Sequence, residues 1–124
     1  MTVESVGLEG NWKPVAAEES GQILPITELR VARLSFDANR YSIFDHAGQV
    51  VDAGHWQLGA DVIPRPLDLV GNAGPSAGRR VLAIVAFDEE RLSLGYDLER
   101  EVRPASWRHE PEQLLLCITY LRQS

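Results

Sequence analysis

Three observations predict an all-β chain that closes into an antiparallel up-and-down barrel of about eight strands. Short stretches of alternating apolar and polar residues recur along the 124 residues, each bounded by Gly, Asp, Asn or Pro. No stretch keeps the helical period for the length of a helix. Finally, a sheet built of so many sequential hairpins leaves two unpaired edges unless it closes, and eight strands close around room for side chains or one small ligand. Two packed sheets, a β-sandwich, satisfy the same pattern and stand as the second architecture.

The elements follow in order. Residues 12–18 form the first strand, entered through Gly10 and left through an acidic turn before Gly21. Pro25 and then Thr27-Glu28-Leu29 make residues 23–30 a brief helical turn or irregular lid. Leu34 and Phe36 alternate with Arg33 and Ser35, the period of a half-buried strand. The pattern apolar-Asp-x-x-Arg-apolar then occurs twice, as Phe36-Asp37-Ala38-Asn39-Arg40-Tyr41 and as Phe87-Asp88-Glu89-Glu90-Arg91-Leu92. Asp at the start of a turn accepts a backbone N–H two residues on, so both are hairpins. Asp45-His46-Ala47-Gly48 marks a third, with Gly48 supplying a positive φ.

In residues 49–58, Val51 and Ala53 share one alternation and Gly54, Trp56 and Leu58 the other, which predicts a face change or bulge at Ala53-Gly54. Pro64 and Pro66 make the first half of residues 62–70 an edge or an irregular rim. Residues 71–78, GNAGPSAG, read as a flexible loop. Residues 79–87 are nearly continuous apolar, and Leu92, Leu94 and Tyr96 alternate with Ser93, Gly95 and Asp97. The last strand, residues 113–121, puts Leu114, Leu116, Ile118 and Tyr120 on one face.

Composition excludes more than it names. Eighteen acidic against twelve basic residues give a net charge of −6, against a partner held through phosphates, so no nucleic acid is expected. A single Cys117 excludes a disulfide framework, and its apolar neighbours make it a small hydrophobe, not a nucleophile. Residues 1–10 carry no basic and apolar leader pattern. The longest uncharged apolar stretch, residues 114–121, is far short of the ~20 residues of a membrane helix. One cytoplasmic domain spanning residues 1–124 is the expectation.

Leu8-Glu9-Gly10-Asn11-Trp12 resembles the Gly-x-Trp signature that opens the first strand of lipocalins and their calycin relatives. Leu121-Arg122 resembles their closing Arg, which stacks on that Trp. The resemblance makes Gly10, Trp12 and Arg122 a structural signature, the guanidinium over the indole contributing about 0.5–2 kcal/mol. Three further stretches are similar, in order and spacing, to a bacterial lipocalin-like domain family expanded in planctomycetes. They are Pro66-Leu67-Asp68-Leu69, residues 83–94 (AIVAFDEERLSL) and Arg103-Pro104-Ala105-Ser106-Trp107. The likeness covers residues 8–122. Ala83 stands where that family usually has Gly, Val85 where it has Tyr, Gly95 where it has Cys and Trp107 where it has Phe. The family has no agreed biochemical function, so the resemblance implies architecture and no particular activity.

The groups with the best claim to a cavity are Tyr41, Trp56, Tyr96 and Arg103. Tyr41 follows a hairpin and Tyr96 shares the Leu92-Leu94 face, and a Tyr hydroxyl in an apolar barrel needs a partner, which Arg103 supplies directly or through an anionic ligand. The ordinary reading is that the tyrosines pack the core and Arg103 ties down the loop before Trp107. His46 lies in a turn, His109 in a polar loop, and His55 points away from Trp56; their spacing makes no ligand set, so neither metal nor cofactor is expected. Residues 71–78 lack the Lys and Ser/Thr of a phosphate loop. Acidic turns at Glu18-Glu19, Glu89-Glu90, Glu99 and Glu101 favour a neutral or cationic ligand over an anionic one.

Three functions fit. The first is a barrel that binds a small apolar or amphipathic molecule. The second is a cofactor-independent cyclase or isomerase of natural-product biosynthesis using Tyr41, Tyr96 or Arg103, since positioning alone removes about 7–11 kcal/mol from a barrier. The third is a solidly packed interaction domain that docks or forms a homodimer through a strand edge or residues 23–29. A cavity of roughly 300 Å³ or more, the lower end for ligand pockets, separates the first two from the third.

Overall fold

The computed structural model describes residues 7–74, 77–99, 101–108, 110–111 and 113–123. Its strands are β1 (Gly10–Glu19), β2 (Gln22–Ile23), β3 (Arg33–Asp37), β4 (Arg40–Phe44), β5 (Val50–Leu58), β6 (Arg65–Ala73), β7 (Arg80–Phe87), β8 (Arg91–Asp97) and β9 (Leu115–Gln123). A single 3-10 turn, Ile26–Glu28, lies between β2 and β3. Every neighbouring pair is antiparallel in the order β1-β3-β4-β5-β6-β7-β8-β9, and β9 returns to β1 from Asn11↔Gln123 to Glu19↔Leu116. That last ladder decides for a closed eight-stranded barrel over a sandwich. The extra strand β2 pairs only with the far end of β1, through Glu18↔Ile23 and Glu19↔Gln22.

The turns show why the chain reverses where it does. Asp88 Oδ1 accepts from the Glu90 and Arg91 N–H groups at 2.8 Å each, and these bonds hold its carboxyl below the usual carboxylate range. Asp45 Oδ1 does the same for Ala47 and Gln49 at 2.9 Å, and Gly48 takes the expected φ of 81°. At the first hairpin Asp37 instead pairs with Arg40 in the ladder, and Ala38 turns the chain with a φ of 50°. The expected loop at residues 71–78 is shorter than its composition predicts. Residues 71–73 extend β6, and Gly71 both donates to Arg79 O and accepts from Gly78 N at 3.0 Å; Pro75 and Ser76 lie outside the described residues.

The bulge near Ala53-Gly54 is present, but it does not turn β5 over. The register runs Gly54↔Gly71 and then Ala53↔Ala73, so the extra residue is Asn72 on β6. A second irregularity, between Ile43↔Asp52 and Phe44↔Val50, leaves Val51 unpaired against β4. Between them Asp52, Gly54, Trp56 and Leu58 keep one alternation, which corrects the expectation that Val51 and Ala53 share the apolar face. A bulge hands its extra residue to whichever strand bends, and apolarity alone does not say which.

The barrel interior is filled by Trp12, Leu34, Phe36, Tyr41, Leu67, Leu69, Ala83, Val85, Leu92, Leu94, Leu116, Ile118 and Tyr120. Each large aliphatic side chain so buried contributes about 1.5–3 kcal/mol. Trp107 is outside, on the outer face of β8: a Cβ built on Gly95 would lie 3.0 Å from its ring. Glycine at 95 therefore leaves space for that indole.

Candidate functional site

The two ends of the barrel differ in kind. At the end where β1 begins and β9 finishes, Trp12 is fully buried and its Nε1 donates to Leu8 O at 2.9 Å. The Arg122 guanidinium sits 4.2 Å from the Trp12 ring centroid. Its Nη1 donates to Glu9 O at 2.7 Å, its Nη2 to Gly7 O at 2.5 Å and its Nε to Glu89 O at 2.7 Å. One side chain thus ties the N-terminal approach to the β7–β8 turn. Gly10 has a φ of 131°, and a Cβ there would meet Arg122 Nη1 at 2.7 Å. The signature of Gly10, Trp12 and Arg122 is in this way a plug whose hydrogen bonds are complete.

The opposite end holds a cavity of about 260 Å³. Leu34, Ile43, Leu69, Val81 and Leu94 give it apolar walls, and Tyr41, Asp52, Tyr96, Asp97 and Tyr120 give it polar groups. Val31, just after the 3-10 turn, contributes to the mouth together with Arg79, Arg80 and Glu101. Leu24 and Ile26 pack on the core, and the 3-10 turn Ile26–Glu28 is the brief helical turn expected within residues 23–30.

Each polar group is set by its strand. Asp52 enters through the uninterrupted alternation of β5, and its Oδ1 accepts from the Ala53 N–H at 3.0 Å. Asp97 ends β8 only 7% exposed, with Oδ1 held by the Glu99 N–H at 2.9 Å. Tyr120 is 2% exposed and lines the cavity. Burial, and then the charge of Asp52 and the neighbouring Tyr41, push the Tyr96 phenol up from 10.0 to about 12. Burial, with Tyr96 beside it, raises Tyr120 still further. The tyrosines therefore act as neutral hydroxyls, donors and acceptors both.

Of the residues the sequence singles out, the structure brings Tyr41 and Tyr96 together in this cavity and leaves two elsewhere. Trp56 faces inward but packs edge-on against Phe36, with ring centroids 5.7 Å apart, outside the cavity lining; its Nε1 is buried with no acceptor among the described residues. Arg103 lies on the outer surface. Its Nη1 donates to Ala83 O at 2.7 Å, and its Nη2 pairs with Asp68 Oδ1 at 2.5 Å, so it fastens the segment before Trp107 to β6 and β7. Asp52, Asp97 and Tyr120 are site residues that the sequence reading passes over. Strict alternation back from Trp56 reaches Asp52, and alternation from Ile118 reaches Tyr120. Nothing comparable marks Asp97, which owes its burial to the turn that follows it.

The remaining candidates fall away from the cavity. His46 and His55 are exposed, and His109 lies outside the described residues. Cys117 is half-buried on the outer face, where burial and then the charge of Glu18 raise its thiol to about 11, far from a thiolate. Among the described residues no group of three or more His, Cys, Asp or Glu is placed to hold a metal ion, and no helix is long and apolar enough to cross a membrane. Grooves beside Trp107 and β2 reach 210–350 Å³ but are more open to solvent and enclose no comparable polar cluster. Set against protein-family models, curated proteins and solved structures, the chain matches none.

Proposed function

We propose that this protein is a lipocalin-like barrel that binds a compact apolar or amphipathic molecule in the cavity at its open end. The observation that carries the reading is a void of about 260 Å³ inside an otherwise filled barrel, walled by aliphatic side chains and carrying hydroxyls and carboxylates on its inner surface. That mixture of apolar wall and few inward polar groups is the usual make-up of a ligand site, and the volume, just below the ~300 Å³ at which such pockets begin, restricts the occupant to a small molecule. A solidly packed interaction domain would have no use for three tyrosines turned into an unfilled space. The lipocalin-like assignment rests on Gly10, Trp12, Arg122 and the closed barrel. A cyclase or isomerase would use the same cavity, but with Arg103 engaged by Asp68 outside it, only the hydroxyls of Tyr41 and Tyr96 remain of the groups expected to serve that chemistry.

The test is a titration with 2-phenylethanol, a small neutral amphiphile, followed by calorimetry or NMR. Saturable binding is expected for the natural chain. Val81→Phe, which adds a ring at the half-buried mouth, weakens it at least tenfold while leaving the fold intact by circular dichroism. Absence of saturable binding, or affinity unmoved by the filled mouth, overturns the proposal.

A further inference from the structure

We infer that the outer face formed by β7, β8, β9 and β1 is the interface of a weak two-fold dimer, its occupant a second copy of this chain. That face lies outside the barrel and the cavity lies within it, so the dimer does not depend on ligand binding.

The ladders set the outward side chains of this face in rows that cross the strands. The middle row is small throughout: Ala86 pairs with Ser93, Ser93 with Thr119 and Thr119 with Ala16, from β7 to β1. On one side of it run Arg91, Leu121 and Lys13, again cross-strand partners. On the other side run Gly95, Cys117 and Glu18, with the Trp107 ring lying over Gly95. A low row beside that ring leaves a groove of about 340 Å³. The outside of a barrel is otherwise convex, so this groove is where a partner's side chain can insert. Apolar surface borders it, since Val15 in the β1 bulge, Leu121 and Trp107 are 42%, 39% and 36% exposed.

The charge pattern identifies the occupant. Lys13 and Glu18 are both exposed on β1, one on each side of the middle row and ~16 Å apart along the strand, too far to pair within one chain. Neither joins an ion pair with another described residue. Arg108 shares a neighbouring groove with Glu18 and is no ion-pair partner to it. A two-fold axis along the middle row lays each strand over its own copy and exchanges the two outer rows. Lys13 of one copy then faces Glu18 of the other, twice over. Leu121 comes over Cys117 and the groove, and Arg91 over the Trp107 indole, a favourable cation–ring contact. An acidic partner meets Lys13 and Arg91 but is opposed by Glu18, and a basic partner meets the reverse. A surface carrying both signs in this order answers both rows, and this face is such a surface. Two sheets pack about 10 Å apart, and the small middle row gives the partner's longer side chains that room. Four strands by three rows cover about 400 Å² per copy, half of the ~800 Å² of a standard interface, so the dimer is weak.

The test is sedimentation equilibrium of the full chain up to about 1 mM at low ionic strength, where a dissociation constant on the order of 0.1 mM is expected. Lys13→Glu and Glu18→Lys each set like charges opposite one another in both symmetric contacts, and each should weaken the dimer about tenfold or more. An equimolar mixture of these two variants should associate again, because Glu at 13 in one chain then faces Lys at 18 in the other. Ala16→Arg, which raises the floor of the groove, should leave the chain monomeric and serves if either charge variant fails to fold. A natural chain that stays monomeric at 1 mM overturns the inference. So does a dimer that neither the charge variants nor Ala16→Arg weaken, which would lie on another face, or a mixture of the two charge variants that associates no better than each alone.

Discussion

The two ends of this barrel are made from similar residue types and do opposite things with them. At the closed end an aromatic ring and a charged group are spent on each other: Arg122 stacks on Trp12 and donates to Gly7, Glu9 and Glu89 carbonyls, and the Trp12 N–H reaches Leu8. At the open end three tyrosines and two aspartates line unfilled space. An end filled by its own side chains is a plug, and an end that keeps space between them is open to a ligand. The difference lies in whether the side chains of one end fill the space between them.

The largest break of this contrast is at the plug. Trp12→Ala removes the biggest fully buried side chain and is expected to cost about 3–5 kcal/mol, read as a lowered midpoint in urea with little change of slope. A loss below 1 kcal/mol would mean that the closed end does not hold the barrel. Gly10→Ala is the next largest. It forces a Cβ onto a φ of 131° and into Arg122 Nη1, at an expected cost of about 1–3 kcal/mol by the same measurement. Because the clash is confined to the plug, the affinity for 2-phenylethanol should not change in this variant; a parallel loss of binding would show the two ends to be coupled.

The smallest effect sharpens the open end. The Tyr96 phenol is raised to about 12 against 10.0 for the ordinary group. A folded pKa above the unfolded one gives stability that is whole below pH 10 and is lost as the pH climbs toward 12. Unfolding free energy should therefore decline over that window, and Tyr96→Phe should flatten part of the decline. An unchanged slope in the variant would place the cause on another tyrosine.

The closed end was readable in the sequence and the open end was not, for physical reasons. A positive φ under a guanidinium favours glycine, and the indole takes the guanidinium as its partner, so Gly10, Trp12 and Arg122 stand at fixed positions, which the resemblance to lipocalins implies. The hairpin order was likewise legible, because Asp45, Asp88 and Gly48 specify their turns through nearby backbone, while closure over a sandwich is decided by the β1–β9 ladder. Which polar side chains enter the cavity depends on where bulges fall. Asn72 on β6 takes the extra residue that the pattern had suggested for β5, and Asp52 turns inward as a consequence. For Arg103 the ordinary reading, a tie for the loop before Trp107, matches its bonds to Ala83 and Asp68, whereas its place in the cavity had no alternation behind it because residues 102–108 form no strand. Asp97 follows strand alternation to the outer side and is buried only through the turn after it.

The most direct measurement of this division between the ends is a residue-resolved NMR map of the amide shifts caused by saturating 2-phenylethanol. The account predicts that the perturbed amides cluster at Ile43, Asp52, Val81, Tyr96 and Tyr120, with those around Trp12 and Arg122 unmoved. Perturbations centred on Trp12 and Arg122, or on the outer face beside Trp107, would contradict it.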